Sequence, residues 1–292
     1  MATKKAASTT KKKTTAKKPV ARSTTKVTTV KTDRSAVVAA EARHKRLTAR
    51  SGRNYTQLAA AAVAELVGTF ILAAIVLSQS GQPVPVLFGI MAAVLATSAL
   101  SGAYLNPALT VGAWVTRKID GVRALFYIVG EILGGMLALI VVNSFVTGAA
   151  TELSAQAKML GQSAPEVFKA AAVPAGKEWL VLFAELLGTV IFAFVVASAV
   201  SEKRKSLNAA ISVGTGLFAA LLIAGSATGS LVSQGAGLTF LNPAVAIASQ
   251  VLASNVVSVW GVVIYLIMPL VGGAIGFGAY ELLKVGRTRN AE

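Results

Sequence analysis

The segment "LNPALTVGA" at residues 105–113 recurs as "LNPAVAIAS" at 241–249, and the reading of this pair decides the fold. In each copy an Asn stands directly before a Pro. Asn is a good helix N-cap, and Pro suits the first helical position because it has no N–H to leave unpaired. Asn106 and Asn242 are therefore each expected to start a helix, over 107–116 and 243–253. Pro107, Ala108, Pro243 and Ala244 complete the two motifs. Neither helix is long enough to cross a bilayer, which takes about 20 residues.

The flanking sequence repeats in the same order. "AELVGTFILAAIV" at 64–76 matches "AELLGTVIFAFVV" at 184–196, with eight identities in 13 positions. "ILGGMLA" at 132–138 matches "LVGGAIG" at 270–276. The chain thus holds two related halves, about 57–145 and 178–283. Apolar runs place six spans near 57–79, 84–100, 123–145, 178–200, 207–228 and 258–283. Three spans per half is an odd number, so the second half must enter the membrane from the opposite face. Inverted repeats of this kind place a substrate path between the halves, near the bilayer midplane.

Charge supports this parse. No charged residue occurs from Leu66 to Thr116, or in the 75 residues from Ser206 to Tyr280. Both runs exceed one bilayer crossing. Arg117, Lys118, Arg123, Lys203, Arg204, Lys205, Lys284, Arg287 and Arg289 all fall on one side of the parse. That side is expected to be the cytoplasm, with both termini there, in a plasma or inner membrane. Residues 1–53 carry 16 Lys and Arg against Asp33 and Glu41, a net of +14. Their near lack of apolar residues predicts a disordered basic tail, ahead of a membrane domain at 54–292. Its partners are expected to be bulk solvent, anionic lipid headgroups or nucleic acid.

Composition removes several chemistries. There is no cysteine, and the single histidine, His44, lies in the basic tail. Thiolate metal sites, cysteine nucleophiles and Ser-His-Asp triads in the membrane domain are excluded. No cofactor is expected.

Because the repeat is inverted, one short helix dips in from each face and their N-termini meet near the centre. Irregular backbone at that depth is tolerated where protein buries it or where it lines a wet cavity. Gly102–Leu105 and Gly237–Leu241 are therefore candidate carbonyl ladders. Two helix N-termini supply positive potential at the midplane, and two Asn amides can donate to a passing oxygen. Such a centre opposes cations and proton wires and suits neutral permeants. Glu65 and Glu185 stand at equivalent repeat positions inside spans. They read either as braces accepting from re-entrant backbone or as a proton site. Gly68, Gly130, Gly134, Gly188, Gly225, Gly229, Gly272 and Gly276 are expected to allow close helix crossings.

On "AELVGTF", "SGAYLNPALTVG", "AELLGT" and the second "LNPA", the chain resembles the major intrinsic protein family of aquaporins and glycerol facilitators over about 57–283. The resemblance implies an all-α membrane fold of six tilted helices plus two re-entrant half-helices. It also implies a pore in each protomer, a homotetramer in the lipid bilayer, and a bracing role for Glu65 and Glu185. Glu131 stands where the family commonly has Gln and is expected to take a similar buried polar role.

The family pattern breaks at the filter. Arg normally follows the second NPA, and here Val245 stands there. Tyr104 replaces a usual His, and Ala246 replaces the Asp common in glycerol-type members. The segment between span 2 and the first dip is about two residues short, so counting back from Asn106 gives Val86 while matching an "FG" pair gives Phe88. Phe88 is chosen here. Counting back from Asn242 gives Ser230 and Thr239. The expected filter is Phe88, Ser230, Thr239 and Val245, uncharged and wider than that of a strict water channel. The expected function is passive passage of water or small neutral solutes such as glycerol. The alternative is a proton-coupled secondary transporter using Glu65, Glu131 or Glu185.

Overall fold

The structure, a computed structural model, describes residues 54–149, 156, 159, 166–201, 206–231, 237–252 and 259–289. The expected basic tail at 1–53 and the triplet Lys203, Arg204 and Lys205 lie outside the described residues.

The first half runs α1 (Tyr55–Ser78), α2 (Pro83–Thr97), the short α3 (Pro107–Val115) and α4 (Gly121–Ala149). The second runs α5 (Glu178–Ser201), α6 (Ser206–Thr228), a 3₁₀ turn (Gly229–Leu231) and the short α7 (Pro243–Ala248). It ends in a span made of α8 (Val259–Val262), a π-helical turn (Val263–Ile267) and α9 (Met268–Arg289). Tyr55–Ser78, Gly121–Gly148, Glu178–Ser201, Ser206–Leu231 and Val259–Gly286 are long and apolar enough to cross a membrane.

Helix α2 is shorter, at 15 residues. That is about 22 Å, less than the ~30 Å hydrocarbon core. Its hydrogen-bond ladder continues past Thr97, however. Ser98, Ser101 and Gly102 donate to the carbonyls of Val94, Thr97 and Ser98 at 3.0, 3.1 and 3.1 Å. The π turn has a cause in the sequence. Pro269 has no N–H for the Tyr265 carbonyl, and its ring would clash with it. The ladder slips by one residue, so that Met268 donates to Val263.

The halves pack alike. Helix α1 lies on α4 as α5 lies on α9, α1 touches α2 as α5 touches α6, and α2 meets α6 between the halves. Repeat-equivalent glycines set these distances. A Cβ at Gly134 would strike the Leu66 carbonyl, and one at Gly272 would lie 2.9 Å from the Leu186 carbonyl. Gly68, Gly130, Gly188 and Gly276 are equally tight against neighbouring elements. The next glycine of each Gly-Gly pair faces elsewhere. Gly273 abuts the Ala108 carbonyl, and a Cβ at Gly135 would lie 2.7 Å from the Ala244 carbonyl. Each short helix is thus seated on a span of the opposite half.

Both short helices end in a Schellman turn. Lys118 and Arg117 donate to Ala113 and Trp114, and Val251 and Gln250 donate to Ala246 and Ile247. Arg117 and Gln250 hold the left-handed position at φ 61° and 62°. This closure stops α7 at Ala248, five residues before the expected 253.

Candidate functional site

The two asparagines form the centre. Asn106 and Asn242 cap α3 and α7, each side-chain oxygen accepting from the N–H of Ala108 (2.9 Å) or Ala244 (3.0 Å). Each amide nitrogen then reaches across the repeat. Asn106 Nδ2 donates to the Leu241 carbonyl at 2.8 Å, and Asn242 Nδ2 donates to the Leu105 carbonyl at 2.9 Å. An Asn amide carries two N–H groups. One of each is spent in this exchange, which leaves the second for the cavity that both residues line.

The backbone before each Asn is forced into unusual shape. Leu105 and Leu241 both have φ 56°, a left-handed conformation that non-glycine residues rarely adopt. Two buried carboxylates hold it. Glu65 accepts from the N–H groups of Tyr104 (3.1 Å) and Leu105 (2.6 Å). Glu185 accepts from those of Phe240 (2.5 Å) and Leu241 (3.0 Å). Each acid spends both oxygens on re-entrant backbone. Glu131 adds a third support in the first half only. Its Oε1 accepts from the Asn106 N–H at 3.1 Å and the Thr110 hydroxyl at 2.6 Å, while its Oε2 is buried without a partner among the described residues.

Sequence reading missed a further symmetric pair. The Tyr127 hydroxyl donates to the Ser101 carbonyl at 2.8 Å, and the Tyr265 hydroxyl donates to the Leu238 carbonyl at 3.2 Å. The two tyrosines stand five residues before the matched segments at 132 and 270, in flanks that do not otherwise align. Gly135 and Gly273 were missed too, although the Gly-Gly pairs were plain in the sequence.

Two cavities approach the asparagines. One, of about 200 Å³, is lined by Leu72, Val86, Thr228, Thr239, Val245 and both asparagines, among others. The other, of about 320 Å³, is lined by Val94, Gly102, Ala103, Val196 and Val213, among others, and stops three residues short of Asn106. Each cavity borders one expected carbonyl ladder. No charged side chain lines either cavity among the described residues.

The expected filter residues divide. Thr239 and Val245 line the first cavity, with Val245 only 3% exposed. Phe88 does not; it is 62% exposed on the outer face of α2, whereas Val86 is 2% exposed and lines the cavity. Two residues turn a helix by about 200°, so Val86 and Phe88 cannot face the same way. Ser230 is also misplaced. Helix α6 continues to Thr228 and the 3₁₀ turn carries Ser230 to an exposed position, so Gly225, Thr228 and Gly229 face the cavity instead. Among the described residues Gly225 and Gly229 are therefore not crossing points, and a Cβ at either would meet none of them within 4 Å.

A family model described as Major intrinsic protein matches residues 82–280. Aquaporin Z of Photorhabdus laumondii is 27% identical over 240 residues, covering 75% of this chain and 95% of the relative. Aquaporin FA-CHIP of Pelophylax lessonae is 30% identical over 213 residues, covering 72% and 70%. Glycerol uptake facilitator protein-like 6 of Lactiplantibacillus plantarum is 28% identical over 224 residues, covering 73% and 93%. In fold, the chain matches the X-ray structure of the aquaglyceroporin from Plasmodium falciparum with a TM-score of 0.53 at 19% identity, covering 76% of this chain and 93% of that one.

Proposed function

The chain belongs to the major intrinsic protein family, and from that premise we propose that it is a passive pore for water and for neutral solutes up to about the size of glycerol. It is a multi-pass membrane protein of a channel family and not an enzyme. The observation that carries the proposal is the crossed asparagine pair lining one cavity with uncharged walls, with a second uncharged cavity lined by Gly102 and Ala103. Two helix N-termini and two amide donors at that point favour a neutral oxygen and oppose a cation.

The constriction on the asparagine-lined side is formed by Val86, Thr228, Thr239 and Val245, with Gly225 and Gly229 leaving room beside them. Val245 brings neither the charge nor the five donors of an Arg. Hydroxyls of Thr228 and Thr239 are the polar groups it offers. Such an opening selects by size and by tolerance of a largely apolar wall, which favours a solute-permeable pore over a strict water filter.

The hydrogen bonding of Glu65 and Glu185 supports a brace over a proton relay, since each carboxylate already accepts two backbone N–H groups. Assembly as a homotetramer, residence in a plasma or inner membrane with cytoplasmic termini, and contact of the basic 1–53 segment with anionic lipid or nucleic acid complete the reading. Loop charge supports the orientation. On this orientation the asparagine-lined cavity opens outward and the second opens to the cytoplasm. Stopped-flow light scattering on proteoliposomes tests the function, with water first and then a panel of neutral solutes.

A further inference from the structure

We propose that Phe168, in the connection between the two halves, is a selectivity residue of the outer constriction. It supplies by bulk alone the restriction that Val245 does not. This rests on the pore reading above.

Phe168 has no counterpart in the repeat, yet it is 8% exposed and lines the same cavity as Thr239, Val245 and both asparagines. Its ring is held on several sides. A Cβ at Gly81 would lie 3.4 Å from the ring, and one at Gly237 would lie 2.7 Å from its Cζ. Any side chain at 237 would therefore displace it. The ring of Phe240 lies 6.4 Å away at a 51° tilt, and Phe240 in turn meets Tyr265 edge-on at 5.7 Å. An aromatic row thus runs from the connection into the backbone that precedes Asn242.

The main chain around Phe168 is fixed to the elements that carry the constriction. The Phe168 N–H donates to the Leu77 carbonyl at 3.3 Å, at the end of α1. The Ala170 N–H donates to Ser249 at 2.8 Å, at the end of the short helix that bears Val245. The Ala171 N–H donates to Gly237 at 3.0 Å, two residues before Thr239, and Ala170 and Gly237 form a parallel bridge. Three bonds to both halves make the ring a fixed wall. A benzyl group has no donor for a solute, so it limits passage by shape and adds to the desolvation cost of larger hydroxylated solutes.

The chain has no cysteine, so Phe168→Cys would carry a single thiol. Proteoliposomes of the full-length wild type, Phe168→Ala, Phe168→Leu and Phe168→Cys would be assayed for water, glycerol and erythritol. The expected result is a several-fold rise in the glycerol-to-water and erythritol-to-water ratios for Ala, and a smaller rise for Leu. A small methanethiosulfonate reagent should block flux through the Cys variant and leave the wild type untouched. If Ala does not fold, Leu and Cys carry the test, because both keep an apolar or near-apolar side chain at the site. Folded variants with unchanged ratios, or a fully labelled Cys variant with undiminished flux, overturn the assignment of Phe168 alone. A wild type that conducts nothing above empty liposomes overturns the pore reading itself.

Discussion

The Asn106 side chain donates to the main-chain carbonyl of Leu241 at 2.8 Å, across 135 residues of chain. The reverse bond, from Asn242 to Leu105 at 2.9 Å, closes the pair. Each asparagine therefore does three things at once. It caps its own half-helix, ties that half to the strained backbone of the other, and has a second N–H beside the cavity that it lines.

Replacing Asn106 or Asn242 by Asp should separate these roles. Asp remains a good cap, but it has no donor when ionised, and it faces a carbonyl oxygen. Weakened assembly is expected, together with a cation leak raised about tenfold, equivalent to ~1.4 kcal/mol off the barrier. Sodium and proton flux into proteoliposomes measures this. Two well-folded variants with wild-type exclusion of cations would show that the pair does not set selectivity.

Three buried acids give contrasting predictions. Glu65→Leu or Glu185→Leu leaves two buried N–H groups unpaired, at about 1–3 kcal/mol each. Lower yield and thermal stability in detergent are expected, without new pH dependence of transport. Glu131→Gln should be close to neutral. Its carbonyl oxygen can keep the bonds to the Asn106 N–H and Thr110, and its NH₂ takes the place of the unpartnered Oε2. Transport that becomes steeply pH-dependent in these variants while assembly stays intact would favour a proton-coupled mechanism.

Gly135 and Gly273 should tolerate no side chain. A methyl group at either would press on the carbonyl of Ala244 or Ala108, and overpacking of this kind costs about 1–3 kcal/mol. Gly225→Ala meets open space, so it should fold normally and narrow the cavity. Thermal melts compare the three. Equal stability for Gly273→Ala and Gly225→Ala would contradict the seating of the short helix on the opposite half.

Val245→Arg is expected to lower glycerol or urea permeability more than water permeability, because bulk and desolvation penalise the larger solute more. Stopped-flow traces on the same liposomes give the ratio. A folded variant with an unchanged ratio would remove Val245 from the constriction. Misassembly instead would mean that the new guanidinium is buried without a partner.

The fold was legible because its evidence is local and doubled. The Asn-Pro pairs, the "AEL" segments and the Gly-Gly pairs recur in one order, and an odd number of spans inverts the repeat. The equivalence of Glu65 and Glu185 was legible for the same reason. The cavity lining was legible only in part. Thr239 and Val245 sit within three residues of Asn242, where spacing is rigid. Ser230 was reached by counting over a longer, variable connection. Phe88 was chosen by matching an "FG" pair although counting back from Asn106 gave Val86, and that offset of two residues on α2 exchanges the cavity face for the outer one. Phe168 could not be read at all. It lies in an unrepeated connection, and main-chain bonds to Leu77, Ser249 and Gly237, with the bridge between Ala170 and Gly237, bring it to the cavity. The π turn was similarly hidden, although Pro269 explains it once the helix is seen.

The most direct test of the central claim is the flux of water and glycerol through proteoliposomes of the full chain, with and without an imposed proton gradient. The account predicts both permeabilities above those of empty liposomes, down the solute gradient alone, and unchanged by the proton gradient. Glycerol uptake that requires the proton gradient, or permeabilities equal to those of empty liposomes, would contradict it.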